Sequence, residues 1–96
     1  MIARLWRGVA GSAAGADAYQ RHVTGSVFPE LKKIRGHKGA QVLRRRQEFL
    51  VITFWESMDA IRQFAGADPE QAVVEPEARA VLTEYDQRVR HYEVVQ

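Results

Sequence analysis

Residues 48–61 read EFLVITFWESMDAI. Between Phe49 and Trp55 only Thr53 breaks the apolar run, whereas a strand with one wet face alternates apolar and polar side chains. Successive strand residues point to opposite faces, so Phe49, Val51, Thr53 and Trp55 form one set and Leu50, Ile52 and Phe54 the other. Both sets need cover. The stretch reads as a central strand that buries one face under helices and leaves the other bare in a single chain. Ser57 then caps a helix with Met58, Ile61 and Phe64 on one stripe, closed by Gly66.

The flanking sequence supplies the rest of the sheet. Residues 39–46, GAQVLRRR, run from apolar Val42 and Leu43 into charge, as at a sheet edge, and a tight turn near Arg46-Gln47-Glu48 makes a hairpin with the opening stretch. Residues 2–9, IARLWRGV, form a first strand ending at Gly8 to Gly11. Ser12 or Asp17 caps a helix in which Tyr19, Val23 and Val27 recur every fourth residue. Pro29 cannot lie deep in that helix but suits the first turn of a second piece, PELKKI, so the helical region is expected to be bent or split. Pro69 and Pro76 each open a short helical piece, the second carrying Ala78, Val81, Leu82 and Tyr85 on an apolar face. The last strand is expected at 87–95, QRVRHYEVV, where Val89 and His91 alternate with Arg88, Arg90 and Tyr92. Strand, helix, strand, strand, helix, strand is an α+β, ferredoxin-like βαββαβ order, with the first and third strands central in one antiparallel sheet over residues 1–96.

In this arrangement the helices cover one face of the sheet. Burying each large side chain of the other face is worth ~1.5 to 3 kcal/mol, which predicts a homodimer formed through the open sheet faces.

Composition narrows the function. The 96 residues suit one domain, and the absence of cysteine removes disulfides, thiol nucleophiles and thiolate-held metals. His22, His37 and His91 share no ligand spacing and the carboxylates occur singly, so no metal site is expected. A net charge of +2 and a basic run, Arg44-Arg45-Arg46, without interleaved aromatics point away from nucleic acid. No stretch reaches the ~18 apolar residues of a membrane span, and Arg4 and Arg7 break the apolar start that an export signal needs. The expected location is the cytoplasm.

His22 is the candidate for chemistry. Tyr19, His22 and Ser26 fall along the stripe that Val23 and Val27 anchor, and an imidazole near neutrality can take a proton from a phenol. The same residue also reads as a half-exposed histidine at a core edge. Trp55, Phe64 and Tyr85 are expected to build aromatic substrate contacts beside Tyr19, though core packing alone explains a Trp55 at the end of a central strand. An enclosed cavity reaching His22, Trp55 and Tyr85 speaks for a ligand site; side chains filling that space speak against one.

The segment FWESMDAIRQF, with IARLWRG at the start and RVRHYEVV at the end, resembles the antibiotic biosynthesis monooxygenase-like domains over nearly the whole chain. The resemblance implies a ferredoxin-like fold dimerised as an α+β barrel, with a small-molecule pocket between sheet and helices. It also implies activities that range from cofactor-free oxygenation of phenols to haem degradation. The haem-degrading pattern is not matched here: no histidine lies between His37 and His91, and the first strand has no asparagine. No cofactor is therefore expected.

Overall fold

A computed structural model covers residues 1–96. Strand β1 (Ile2–Ala10) lies between β3 (Glu48–Trp55) on one side and a divided edge on the other, where β4 (Leu82–Tyr85) and β5 (Arg90–Glu93) pair with its two halves. Strand β2 (His37–Arg45) is the opposite edge, and all pairings are antiparallel. The expected ferredoxin-like sheet with β1 and β3 central is present. The hairpin turns at Arg46, whose φ of 57° is the left-handed value that a two-residue connection demands.

Register decides which face each residue takes. Phe49, Thr53 and Trp55 are buried beneath the helices, with Val51 half-buried between them. Their neighbours on β1 are Trp6, Gly8, Arg4 and Ile2. Leu50, Ile52 and Phe54 lie on the opposite face with Leu5 and Leu43, and Leu43 and Tyr92 are 48% and 49% exposed there. No element of the chain covers this face.

Helix α1 (Ala13–His22) starts at Ser12, whose Oγ accepts from the Gly15 N–H at 2.9 Å, which selects Ser12 over Asp17 as the cap. The helical region is bent, as Pro29 requires. Residues Val23–Val27 form one turn of π-helix in which the Phe28 N–H reaches the Val23 carbonyl, and the short α2 (Phe28–Leu31) follows. Pro29 has no N–H to give and crowds the carbonyl four residues back; the wider turn relieves both. Helix α3 (Met58–Ala65) is capped by Ser57 Oγ and ended by Gly66 at φ 95°.

Two expectations fail toward the C-terminus. Pro69 opens no helix: the Ala72 N–H donates to the Gln87 carbonyl and the Val89 N–H to the Glu70 carbonyl, so residues 70–72 run as a ribbon beside 87–89. Tertiary pairing overrides the local helix signal. The helix begun by Pro76 (α4, Pro76–Arg79) stops before Leu82, because Leu82–Tyr85 gains strand partners on β1. The last strand consequently starts earlier than residue 87 and is broken at 86–89. There the Trp6 indole N–H donates to the Asp86 carbonyl at 3.0 Å and the Asp86 N–H to the Arg7 carbonyl at 2.9 Å.

The core has two lobes. One gathers Trp6, Tyr19, Val23 and Phe49; the other gathers Leu31, Trp55 and Ile61 with Phe64 against them. Two glycines permit this packing. A Cβ on Gly8 would sit 2.4 Å from the Trp6 ring, and one on Gly36, already at φ 89°, would sit 2.6 Å from Ala60 Cβ.

Candidate ligand cavity between sheet and helices

Where the two lobes meet they leave a cavity of about 70 Å³. Its floor is the inward side of β1 and β3, with Arg4, Trp6, Val51 and Thr53; α1 and the π turn give Tyr19, His22, Val23 and Val27. Phe64 of α3 closes one end, and the strap 73–75 before α4 closes another. The walls are mainly apolar, with a few polar groups turned inward, as in small-molecule sites generally.

His22 is placed on this wall by its position three residues after Tyr19, one helical turn on. Its Nε2 is buried without a hydrogen-bond partner, and Glu75 Oε2 lies 4.0 Å away. Ser26 faces solvent instead of joining the stripe, because the π turn rotates it away. Tyr19 is buried edge-on against Phe49, with centroids 4.7 Å apart, and burial raises its phenol well above the ordinary tyrosine range. It acts here as an apolar wall and gives up no proton at neutral pH.

Phe64 lines the cavity, but Trp55 and Tyr85 stand outside its lining. Trp55 is fully buried behind Phe64, stacked at 5.6 Å and 24°, with His37 edge-on at 5.0 Å on another side. Its indole N–H goes to Thr53 Oγ1 at 2.8 Å. Tyr85 packs on Trp6 with centroids 6.3 Å apart, at the start of the break in the edge strand. The cavity thus brings together His22, Tyr19 and Phe64 of the expected site and leaves Trp55 and Tyr85 in its supports.

Two features escaped sequence reading. Arg4 is buried, 6% exposed, in the cavity floor. Strand period alone places it on the face of Trp6, two residues on, and that was the available signal. The second concerns the carboxylates, which occur singly in sequence. The segment Glu75-Pro76-Glu77 folds onto α1, so that ligand atoms of His22, Glu75 and Glu77 lie within 4.8 Å of one another. Two arginines of the basic run are paired: Arg44 Nη1 donates to Asp17 at 2.9 Å and Arg45 Nη2 to Glu48 at 2.8 Å.

No family model and no curated protein matches the sequence. Solved structures do match. A protein of Deinococcus radiodurans described as a candidate antibiotic biosynthesis monooxygenase superposes with a TM-score of 0.71 at 16% identity, covering 100% of this chain and 94% of that one. SnoaB, a cofactor-independent oxygenase from Streptomyces nogalater, gives 0.65 at 17% identity over 99% and 93%. The haem degrader MhuD from Mycobacterium tuberculosis, with two haems bound, gives 0.66 at 19% over 100% and 97%. The chain has the antibiotic biosynthesis monooxygenase-like fold. Within that fold a haem does not suit this cavity. Its volume is about 70 Å³, and its lining offers a single imidazole, His22. No helix is long and apolar enough to cross a membrane.

Proposed function

We propose that the chain is a small-molecule-binding protein of the antibiotic biosynthesis monooxygenase-like kind, acting as a cofactor-free oxygenase on a phenolic substrate held in the cavity. The observation that carries this reading is His22 Nε2, buried on the wall of an apolar aromatic cavity with no hydrogen bond of its own. A buried polar nitrogen left unpaired is costly, and in the tautomer whose proton sits on Nδ1 a phenol O–H entering the cavity would satisfy it. Proton transfer to Nε2 gives an electron-rich phenolate and an imidazolium, with the Glu75 carboxylate 4.0 Å away. Phenolate and O2 then yield a quinone and water. One oxygen atom enters the ring, the other leaves as water, and the substrate supplies the electrons, so no external reductant is required. Tyr19 and Phe64 would form the walls on which the ring rests.

The same proposal makes the chain a cytoplasmic homodimer, joined through the face that carries Leu5, Leu50, Ile52 and Phe54. A cysteine-free sequence and an uncovered apolar sheet face support it.

Oxygen uptake in the presence of single-ring phenols tests the chemistry. The His22→Ala protein is expected to lose ~100-fold or more in turnover, the usual contribution of a positioned base, while still binding ligand. Uptake unchanged by the substitution excludes His22 as the base. The second reading is a non-catalytic, ligand-sensing or structural homodimer. Its support is the small cavity, with Trp55 and Tyr85 packed into the surrounding core; ligand binding without any oxygen uptake selects it.

A further inference from the structure

Arg4 is the only charged side chain in the core. No carboxylate accompanies it, since every ion pair of the molecule is made by other residues. Its Nη2 donates to the Gln71 carbonyl at 2.7 Å and more weakly to that of Pro69 at 3.5 Å. Its Nε is buried with no partner, and the guanidinium stands 5.3 Å over the Phe64 ring. Burial pulls its pKa down to about 10, which leaves it cationic at neutral pH. Two carbonyls and an aromatic face orient this cation, but none of them neutralises it. Arginine is rarely buried without a counter-charge, because removing the charge from water is costly.

The surroundings are arranged for an anion. Thr53 faces Arg4 across the β1–β3 register and also lines the cavity. Its oxygen accepts from the Trp55 indole, which leaves its own proton to donate. His91, opposite Arg4 on β5, is held below the ordinary histidine range, by burial first and by the Arg4 charge second, so it is neutral at pH 7 and adds no second cation. Glu75, the acidic group on the lining, is half exposed and turned to His22. The cavity is far smaller than the ~300 to 1,000 Å³ that encloses a drug-sized ligand, which limits the occupant to about one ring.

We propose that this cavity selects a single-ring aromatic anion, whose carboxylate or phenolate oxygen is held by the Arg4 guanidinium and the Thr53 hydroxyl. The inference rests on the cavity being the ligand site and makes Arg4 a specificity-determining residue. Paired hydrogen bonds from a guanidinium to an oxyanion are stronger than those between neutral groups.

Calorimetric titration with benzoate, 4-nitrophenolate and neutral benzamide tests it in wild type, Arg4→Lys and Arg4→Met. At least one anion is expected to bind ~10-fold or more tighter than benzamide to wild type, the usual margin of a charge-assisted hydrogen bond. Arg4→Lys should keep part of this preference and Arg4→Met should lose it. Tighter binding of benzoate than of 4-nitrophenolate identifies the carboxylate as the recognised group, and the reverse order identifies the phenolate. Benzamide binding as tightly as both anions overturns the proposal, as does a preference that survives in folded Arg4→Met. If Arg4→Met does not fold, the wild-type ranking and Arg4→Lys decide. Anion-selective binding without oxygen uptake retains this inference and removes the oxygenase reading. No saturable binding of any of the three removes both.

Discussion

Trp55→Ala is expected to lower the stability of the folded chain by about 3 to 5 kcal/mol, the range for removing a large buried aromatic side chain. Trp55 is fully buried, stacked on Phe64, edge-on to His37, and packed in the lobe that holds Leu31 and Ile61. Its loss also strips the Thr53 hydroxyl of its donor. A domain of this size commonly has only ~5 to 15 kcal/mol in total, so the unfolding midpoint should fall by roughly 12 °C or more at fixed protein concentration. Trp55→Phe retains most of the packed ring and should cost less than half as much. The measurement separates the two roles that the sequence allows for Trp55, core packing and ligand contact. A residue that mainly contacts ligand would give a loss below about 1 kcal/mol together with weakened binding.

Ile52→Lys is expected to abolish self-association at micromolar concentration while leaving the fold intact. Ile52 sits mid-strand on the uncovered face, between Leu5 on β1 and Gln41 on β2, with Leu50 and Phe54 two residues to either side. If that face meets a second copy, an ammonium placed there is buried without a partner, and association should weaken ~100-fold or more. Sedimentation equilibrium is the check, with far-ultraviolet circular dichroism confirming that the sheet persists. A wild-type protein that sediments as a monomer at these concentrations contradicts the dimer, and with it the explanation offered for the apolar character of Leu50, Ile52 and Phe54.

The strand at 48–55 was legible because its failure to alternate has few explanations, and burial on two sides is the simplest of them. Which set faced the helices was not legible, since the set with the polar residue was the one that turned inward. Thr53 can do so because its hydroxyl takes the Trp55 N–H two residues along the same face. Arg4 was read only as an interruption of an apolar start. Its burial depends on carbonyls of Pro69 and Gln71, distant in sequence, and no local pattern announces such partners. The pairing of 70–72 with 87–89 was missed for the same reason, because proline spacing reports local preference and not long-range ribbons. His22 and Glu75 illustrate the converse. Helical spacing found the histidine, but only the fold brings a carboxylate from 53 residues further on to within 4.0 Å of it.

Ligand is expected to enter the cavity between sheet and helices. Methyl NMR on protein labelled at valine, leucine and isoleucine tests it directly, with benzoate as the titrant. Saturable shifts are expected at Val23, Val27, Val51 and Val74, which line the cavity, with Leu5, Leu50 and Ile52 on the open face unmoved. Shifts confined to Leu5, Leu50 and Ile52, or non-saturating shifts across both sets, would contradict it.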